Sequence, residues 1–288
     1  GFSIFNGISW QPYLISYNNK IISDVVVNND SLLILSQNNI SSYYNGSLTQ
    51  IFTSSIPLKK LKFDNQFGYL AASTAGIVNL NGVVQNFLAP NSPPANKFLD
   101  IRVDKEGTLW SASGKNNGGI GFFKLQSEIW TSYNILTNPE IIQNDYYCTH
   151  IGPDNTKYFG NWGQGFVKYK NGVITSFNAS NTGIIGIPDN TQFIVVSALN
   201  TDSKNNLWIL NYWAADRRTL SMITPDSSWF HFTVAAEQNR ILDEKYHLVI
   251  DAFNTKWYSC ANTQRSGLFF FNENGTYLEL TDDKSGLV

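Results

Sequence analysis

The sequence repeats a short pattern at a regular spacing, and this repeat limits the possible folds more than any other feature. DKEGTLW (104–110) returns as DSKNNLW (202–208) and as DAFNTKW (251–257). Each copy joins two β-rich runs through a polar turn, and two more β-rich runs follow it. Units of four short strands that recur every 37 to 50 residues, approximately, are typical of β-propeller blades. The sequence therefore predicts an all-β chain.

The repeat boundaries predict how the blades are arranged along a single propeller domain, residues 1–288. Residues 1–17 match only the third and fourth strands of a unit, so we expect them to form the outer strands of an incomplete blade. This favours a seven-bladed ring that is part of a longer, multidomain protein, and a six-bladed ring is the alternative. Complete blades are expected at 21–53, 58–88, 98–133, 146–178, 194–233 and 245–281.

The last repeat also makes a specific strand prediction. Its fourth strand is expected at YLELT (277–281), after a tight turn at NENG (272–275). TDDKSGLV (281–288) is then predicted to lead into another first strand.

The repeated Asp has a structural and a catalytic interpretation. In DKEG, Asp104 and Gly107 occupy the first and fourth positions of a type I turn, and GPDN (152–155) fits the same turn. The Asp carboxylate is then expected to accept hydrogen bonds from turn N–H groups. The aromatic residues that follow the turn are expected to fill the space between blades as core: Trp110, Trp208, Trp257 and Tyr158.

Composition and charge exclude several classes of protein. The chain is 42% hydrophobic and 15% charged, which is typical of a globular protein. Its net charge is −2 and its basic residues are scattered, which argues against nucleic acid as a partner. No apolar run is long enough to span a membrane. Cys148 and Cys260 lack partners at metal-ligand spacing, so we expect both thiols to be free.

Catalytic motifs are weak. His150, His231 and His247 fall in different repeats without metal-ligand spacing, and no cofactor or metal is predicted. We therefore predict that the chain is not an enzyme. A propeller glycosidase or lyase is a second alternative, because four acidic residues border first strands, although no pair among them is singled out: Asp100, Asp145, Asp189 and Glu244.

Motifs along the chain resemble known propeller repeats. The pattern around D-x-x-G-x-[IL]-W is similar to two-component regulator propeller repeats of Bacteroidetes. YFGNWGQGFVKYKNG (158–172), FNASNTGI (177–184) and DSKNNLWILN (202–211) resemble the propeller region of PorZ-type proteins of the type IX secretion system. The resemblance covers essentially the whole chain. It implies a second propeller and a C-terminal β-sandwich elsewhere in the same polypeptide, and a periplasmic or cell-surface location.

Loop lengths predict a binding face. The connections between the second and third strands of a blade are long, as are those from a fourth strand to the first strand of the next blade. The connections between first and second strands, and between third and fourth strands, are tight turns. The long loops carry aromatic, amide and guanidinium groups suited to a glycan: Trp162, Gln164, Asn211, Tyr212, Trp213, Arg217, Arg218, Gln264 and Arg265. The competing interpretation is that Trp162 and Trp213 only cover blade edges.

These observations predict a recognition module of a cell-envelope protein. Its expected partner is a glycan, a lipopolysaccharide or another protein. The alternative is the periplasmic, oligosaccharide-sensing region of a hybrid two-component regulator.

Overall fold

The computed structural model describes residues 2–14, 16, 20–73, 76–80, 87–88 and 91–288. The chain divides into two compact units, unit 1 (Gly1–Asn91) and unit 2 (Ser92–Val288). Strands and turns dominate both units, which confirms the predicted all-β class. Among the described residues, no helix is long and apolar enough to cross a membrane.

The described residues of unit 1 form a hairpin and two four-stranded antiparallel sheets. Strands β1 and β2 pair with each other, β3–β6 form one sheet, and β7–β10 form another. Residues 83–86 of the predicted fourth strand VVQNFL lie outside the described residues, as do residues 1, 15 and 17 of the N-terminal segment. The strands are β1 (Phe2–Phe5), β2 (Trp10–Tyr13), β3 (Asp24–Asn28), β4 (Ser31–Ser36), β5 (Asn39–Tyr44), β6 (Ser47–Thr53), β7 (Leu58–Asp64), β8 (Gly68–Ser73), β9 (Gly76–Asn79) and β10 (Phe87–Leu88).

Unit 2 contains four groups of four antiparallel strands, numbered in chain order. The first group is β11 (Asp100–Val103), β12 (Leu109–Ala112), β13 (Phe122–Gln126) and β14 (Ile129–Tyr133). The second is β15 (Tyr146–Ile151), β16 (Lys157–Gly163), β17 (Phe166–Lys170) and β18 (Val173–Phe177). The third is β19 (Ile194–Thr201), β20 (Leu207–Asn211), β21 (Leu220–Ile223) and β22 (Trp229–Phe232). The fourth is β23 (Lys245–Ile250), β24 (Lys256–Cys260), β25 (Gly267–Asn272) and β26 (Lys284–Leu287).

Short helices lie in the connections of unit 2. An α-helix, α1 (Ala179–Thr182), follows β18, and 3-10 turns occupy Ala235–Glu237 and Leu280–Asp282. Strand β16 also joins two groups, because Trp162 and Gly163 at its end pair with Val195 and Ile194 of β19. The second and third groups therefore form one eight-stranded sheet.

Apolar side chains fill the space between consecutive groups of unit 2. One core holds Trp110, Phe122 and Phe159, from the first and second groups. The next core holds Phe166 and Ile209, from the second and third groups. A third core holds residues of the last two groups, including Trp208, Phe232, Phe269 and Phe271. The second and third groups therefore pack against a core on both faces, which accounts for their strands with long apolar runs.

The repeated Asp fixes the turn between first and second strands, as predicted. Asp104 Oδ1 accepts from the N–H groups of Glu106 and Thr108, at 3.1 and 2.8 Å. Its Oδ2 accepts from Trp110 Nε1 at 2.9 Å. The other two repeats have the same bonds, from Trp208 to Asp202 and from Trp257 to Asp251, each at 2.9 Å. One carboxylate therefore holds both the turn and the indole.

Two of the four predicted core aromatics are fully buried. Trp110 is 2% exposed and Trp208 is 0% exposed, which confirms their core positions. Tyr158 is half-buried and packs against the core between the second and third groups, in line with its prediction. Trp257 is half-buried and belongs to none of the three cores of unit 2, so its assignment to the core is wrong.

The predicted fourth strand of the last repeat is also wrong. Residues 277–281 do not pair as a strand, and β26 (Lys284–Leu287) pairs with β25 instead. The NENG segment therefore does not connect two paired strands through a tight turn. Tyr277 turns away to pack against Phe230, and its hydroxyl contacts Lys204 Nζ at 3.3 Å. Thr276 Oγ1 bonds to Asp282 at 3.0 Å, which closes the connection. Side-chain contacts of this loop therefore override its strand-like alternation.

Candidate functional site

The first strands of the four groups in unit 2, namely β11, β15, β19 and β23, line a cavity of about 460 Å³, here called the first-strand cavity. Hydrogen bonds link neighbouring first strands. Asp100 Oδ2 of β11 accepts from the Thr149 N–H of β15 at 2.8 Å, and Asn200 Nδ2 of β19 donates to Leu248 O of β23 at 2.9 Å. These bonds hold the cavity walls together.

Three of these strands are irregular at equivalent positions. The register shifts between Tyr146 and Cys148 in β15, between Val196 and Ala198 in β19, and between Tyr246 and Leu248 in β23. Each shift is a β-bulge that inserts one extra residue. The inserted residues are Tyr147, Ser197 and His247, and all three line the first-strand cavity. Bulges often lie beside binding sites because they change the direction of a side chain.

An aromatic cluster includes two rings that line this cavity, those of Tyr147 and Tyr246. The rings of Tyr147 and Trp162 are 5.2 Å apart, and those of Trp162 and Tyr212 are 4.9 Å apart. Tyr246 extends the cluster, with its ring 5.6 Å from that of Tyr212. Lys115 Nζ lies over two of these rings, at 5.0 Å from the Trp162 centroid and 5.2 Å from the Tyr147 centroid. We call these four rings and Lys115 the aromatic cluster.

The cavity carries two permanent cations and one carboxylate. Arg102 Nη1 pairs with Asp100 Oδ1 at 2.8 Å, while 53% of the Arg102 side chain stays exposed. Burial raises the pKa of Asp100, although the Thr149 N–H and Arg102 favour its ionised form. Burial also raises the pKa of Tyr147 to about 12. Within the described residues, no carboxylate lies at ion-pair distance from Lys115 Nζ.

Six of the nine predicted site residues fall into three separate settings. Trp162 and Tyr212 belong to the aromatic cluster. Arg218 pairs through Nε with Asp216 and contacts Gly183 O at 3.4 Å, while neighbouring Arg217 is exposed. Arg265 Nε donates to Ala236 O at 2.7 Å. Gln264 Oε1 accepts from Arg240 Nη1 at 3.4 Å, in the same setting.

The other three predicted residues shape the loops. Asn211 is 1% exposed and its Nδ2 donates to Ile185 O at 2.8 Å, so its amide is already occupied. Trp213 is half-buried in the next turn, where its N–H donates to Asn211 Oδ1 at 3.3 Å. The Gln164 N–H donates to Asn161 Oδ1 at 3.0 Å, beside the end of β16.

Sequence reasoning missed most of the cavity. Arg102, Lys115, Tyr147, Tyr246 and His247 were not among the predicted residues. Lys115 lies in GKNNGG (114–119), a connection between second and third strands, so the loop-length argument applies to it as well. The bulged residues give a weaker sign, since a polar or aromatic residue interrupts an otherwise apolar first strand.

Groups suited to metal or acid–base chemistry are used by the fold. Asp145 is 2% exposed and accepts from the Asn117 and Gly119 N–H groups, at 2.6 and 2.7 Å. Burial lowers the pKa of His150 to about 4, and its Nε2 contacts Thr201 Oγ1 at 2.7 Å. In the described part of the chain, no three His, Cys, Asp or Glu side chains are grouped to hold a metal ion. Both cysteines are free, as predicted, and both are buried.

Comparison with known proteins identifies the fold. No protein-family model matches the chain, and a search among curated proteins found no match. This chain is similar to PorZ, a surface component of the type IX secretion system of Porphyromonas gingivalis, with 21% sequence identity and a TM-score of 0.64. The match covers 92% of this chain and 38% of PorZ. This chain therefore spans well under half the length of PorZ.

Other solved structures are more distant. The extracellular domain of BT4673 from B. thetaiotaomicron is 17% identical, with a TM-score of 0.46 over 89% of this chain and 32% of that one. A virginiamycin B lyase from Staphylococcus aureus is 13% identical, with a TM-score of 0.45 over 93% of this chain and 85% of the lyase. The likeness to PorZ shows that this chain has a β-propeller-type fold. The predicted resemblance is thus confirmed for the fold, and the number of blades stays a prediction.

Proposed function

We propose that this chain is a non-enzymatic recognition domain of a cell-envelope protein, of the PorZ-like type IX secretion kind, and that it binds a glycan or the glycan part of a lipopolysaccharide. The observation that carries the proposal is the aromatic cluster beside the first-strand cavity. Two of its rings, Tyr147 and Tyr246, and the Lys115 amine line a space of about 460 Å³ together with polar side chains. The Trp162 and Tyr212 rings pack against those two rings.

The chemistry of the cluster suits a sugar ring. A pyranose has apolar C–H faces that pack on aromatic faces and hydroxyl groups that need hydrogen-bond partners. The rings of Tyr147 and Tyr246, which line the cavity, offer the first kind of contact, and Arg102 and Lys115 offer donors for the second. Ligand sites of this type combine apolar walls with a few placed polar groups.

The position of the acidic residues favours binding over catalysis. Asp100 is bonded to Arg102 and to the Thr149 N–H, and Asp145 is bonded to two loop N–H groups. A glycosidase needs two carboxyl groups free to act on opposite sides of one bond. Asp100 and Asp145 instead hold neighbouring strands and loops together.

A second candidate function is the oligosaccharide-sensing region of a hybrid two-component regulator. The repeat pattern D-x-x-G-x-[IL]-W favours it equally well. The segment that follows the propeller in the full-length protein separates the two functions. A β-sandwich domain would support secretion, and a membrane helix with a kinase would support sensing.

A glycan array followed by titration tests the binding proposal. We expect Trp162→Ala and Tyr212→Ala each to weaken the best array hit by about tenfold, which is about 1.4 kcal/mol. Phe253→Ala is the matched control, because Phe253 is an aromatic residue that is 85% exposed on a turn outside the cavity. Parent-like affinity in both cluster variants would exclude this site, and a protein partner would then become the better candidate.

A further inference from the structure

Two of the three interfaces between consecutive groups of unit 2 are filled in the same way. Between the first and second groups, the Trp110 indole donates to Asp104, and Lys157 Nζ lies 5.3 Å from the indole centroid and 2.9 Å from the same carboxylate. Between the third and fourth groups, Trp208 is bonded to the aspartate of its own turn, and Lys256 Nζ lies 3.8 Å from its centroid. An indole, a carboxylate and a lysine of the next group therefore meet at each of these interfaces.

Smaller, uncharged residues occupy all three positions at the interface between the second and third groups. Gly152 stands where Asp104 does, since the N–H groups of the two residues close equivalent turns with bonds of 2.8 and 2.9 Å. Tyr158 occupies the tryptophan position. Leu207 of the third group occupies the position of Lys157. A cavity of about 360 Å³, here called the interface cavity, opens among these three smaller residues.

The walls of the interface cavity suit a flat aromatic ring. Phe166 and Phe177 line it and stack on each other, with ring centroids 4.7 Å apart and planes inclined by 6°. The Tyr158 ring and the aliphatic side chains of Leu207 and Ile223 line it as well. A dry cavity of about 150 Å³ holds a benzene ring. The interface cavity is therefore large enough for an indole with a polar substituent.

Two lysines of β17 line the interface cavity in different charge settings. Lys170 Nζ pairs with Asp154 Oδ2 at 2.6 Å, and Asp154 is the one carboxylate among the lining residues. Lys168 Nζ lies 5.7 Å from the Phe177 centroid, and no carboxylate of the described residues lies at ion-pair distance from it. The cavity therefore combines aromatic walls with one uncompensated positive charge.

We infer that the interface cavity binds an aromatic ring of indole size that carries an anionic group, with the ring between the second and third groups and the anion at Lys168. The ring would fill the space that a tryptophan side chain fills at the other two interfaces. Two sources share this chemistry: a free indole carboxylic acid, and a tryptophan flanked by acidic residues in a partner protein. The interface cavity shares no lining residue with the first-strand cavity, so the inference does not depend on glycan recognition.

Three small probes separate the contribution of the ring from that of the charge. Indolepropionate carries both, indolepropionamide keeps the ring without the charge, and cyclohexylpropionate keeps the charge without a flat ring. Each probe is titrated calorimetrically into the chain at about 0.05 M and about 0.5 M salt. We expect indolepropionate to bind about tenfold more tightly than either of the others at low salt. Its advantage over the amide should shrink at high salt, because salt screens the contact with Lys168.

A pair of peptides distinguishes the two ligand sources. A blocked pentapeptide with one tryptophan between acidic residues is compared with its alanine-centred analogue and with indolepropionate. If the tryptophan peptide binds more tightly than indolepropionate and the alanine peptide does not bind, the site is built for a partner-protein segment. If indolepropionate binds more tightly, the site is built for a free aromatic acid. Both outcomes support the inferred ligand chemistry.

A cavity-filling variant tests the location. Gly152→Asp combined with Tyr158→Trp introduces the carboxylate and the indole that fill the other interfaces. A Cβ at Gly152 would lie 3.2 Å from Asp154 Oδ1, a contact that a small rotation of the Asp154 side chain relieves. We expect this double variant to melt no lower than the parent and to bind indolepropionate at least about tenfold more weakly, because its own ring takes the space.

Lys168→Met tests the anion contact separately. It should weaken indolepropionate about tenfold and leave indolepropionamide unchanged. Lys124→Met is the matched control, because Lys124 holds the equivalent position in β13 and its Nζ lies 5.7 Å from the centroid of Trp110, which fills its own interface. The control should bind indolepropionate like the parent. Melting temperatures show that each variant is folded.

Four results would overturn the inference. Equal affinity for indolepropionate and cyclohexylpropionate would exclude an aromatic site. Parent-like binding in a folded cavity-filling variant would exclude the interface cavity as its location. Equal losses in Lys168→Met and Lys124→Met would exclude the specific anion contact. Absence of binding heat for every probe and peptide at about 1 mM would exclude the site altogether.

Discussion

At the scale of single residues, the structure explains why the same Asp-to-Trp pattern occurs three times in the sequence. A buried carboxylate accepts two N–H groups of the turn and one indole N–H, so a single side chain fixes a loop and a core aromatic. Burial opposes ionisation of Asp104, but the bonds from Trp110 and Lys157 outweigh it and lower the pKa of the carboxyl. Lys157 reaches Asp104 Oδ2 at 2.9 Å from the next group of strands. The repeat therefore stabilises the contact between neighbouring groups of strands.

Trp110→Ala tests this structural role of the repeat. Trp110 contacts the rings of Tyr169, Phe159 and Tyr133, and Lys157 Nζ lies 5.3 Å from its centroid. We expect the substitution to lower the free energy of unfolding by about 3 to 5 kcal/mol, measured by chemical denaturation. Trp257→Ala should cost clearly less, because Trp257 is half-buried. An unfolding midpoint unchanged by Trp110→Ala would contradict the core role.

At the scale of elements, turns and bulges control where side chains point. In unit 2, the fourth residue of each turn between first and second strands has a left-handed backbone, with φ of +79° at Gly107, +63° at Asn155, +64° at Asn205 and +64° at Asn254. This explains why the sequence places only Gly or Asn there. The bulges of β15, β19 and β23 interrupt the regular pairing of the strands. They bring Tyr147, Ser197 and His247 to one cavity.

Substitutions at Asn205 test the turn. The Asn205 N–H donates to Asp202 O at 3.0 Å, which closes the turn. Asn205→Ala should lower the free energy of unfolding by about 1 kcal/mol, because alanine resists a positive φ. Asn205→Gly should remain within about 0.5 kcal/mol of the parent, because glycine accepts that conformation. Equal losses in both variants would show that the Asn side chain, rather than the backbone, stabilises the turn.

At the scale of the whole molecule, the stability of unit 2 comes from cores that neighbouring groups share. Cys148 belongs to the core between the second and third groups, and Cys260 belongs to the core between the third and fourth. The third group contributes to both cores, so neither core can open without disturbing it. We therefore expect unit 2 to unfold cooperatively.

The two thiols report on this cooperativity. Burial raises the pKa of Cys148 and of Cys260, so both should resist alkylation in the native state. With increasing denaturant and no reductant, both should become labelled at the same midpoint, as followed by mass spectrometry of the peptides. Absence of label on both thiols in the fully denatured chain would indicate a disulfide between them. Two well-separated midpoints would show that the cores open independently.

The sequence alone determined the features of this protein that depend on local physics. Strand periodicity, turn residues with a positive φ and the spacing from Asp to Trp are set by residues within about ten positions of one another, so they can be read from the chain. The all-β class, the four-stranded units and the free cysteines follow from them. Only the tertiary structure decided which distant side chains meet. Tyr277 leaves a strand-like segment because Lys204 and Phe230 contact it from another group. Lys115, Tyr147 and His247 share a cavity because three bulges and the packing of four first strands bring them together, and a bulge depends on its partner strand as much as on its own residues.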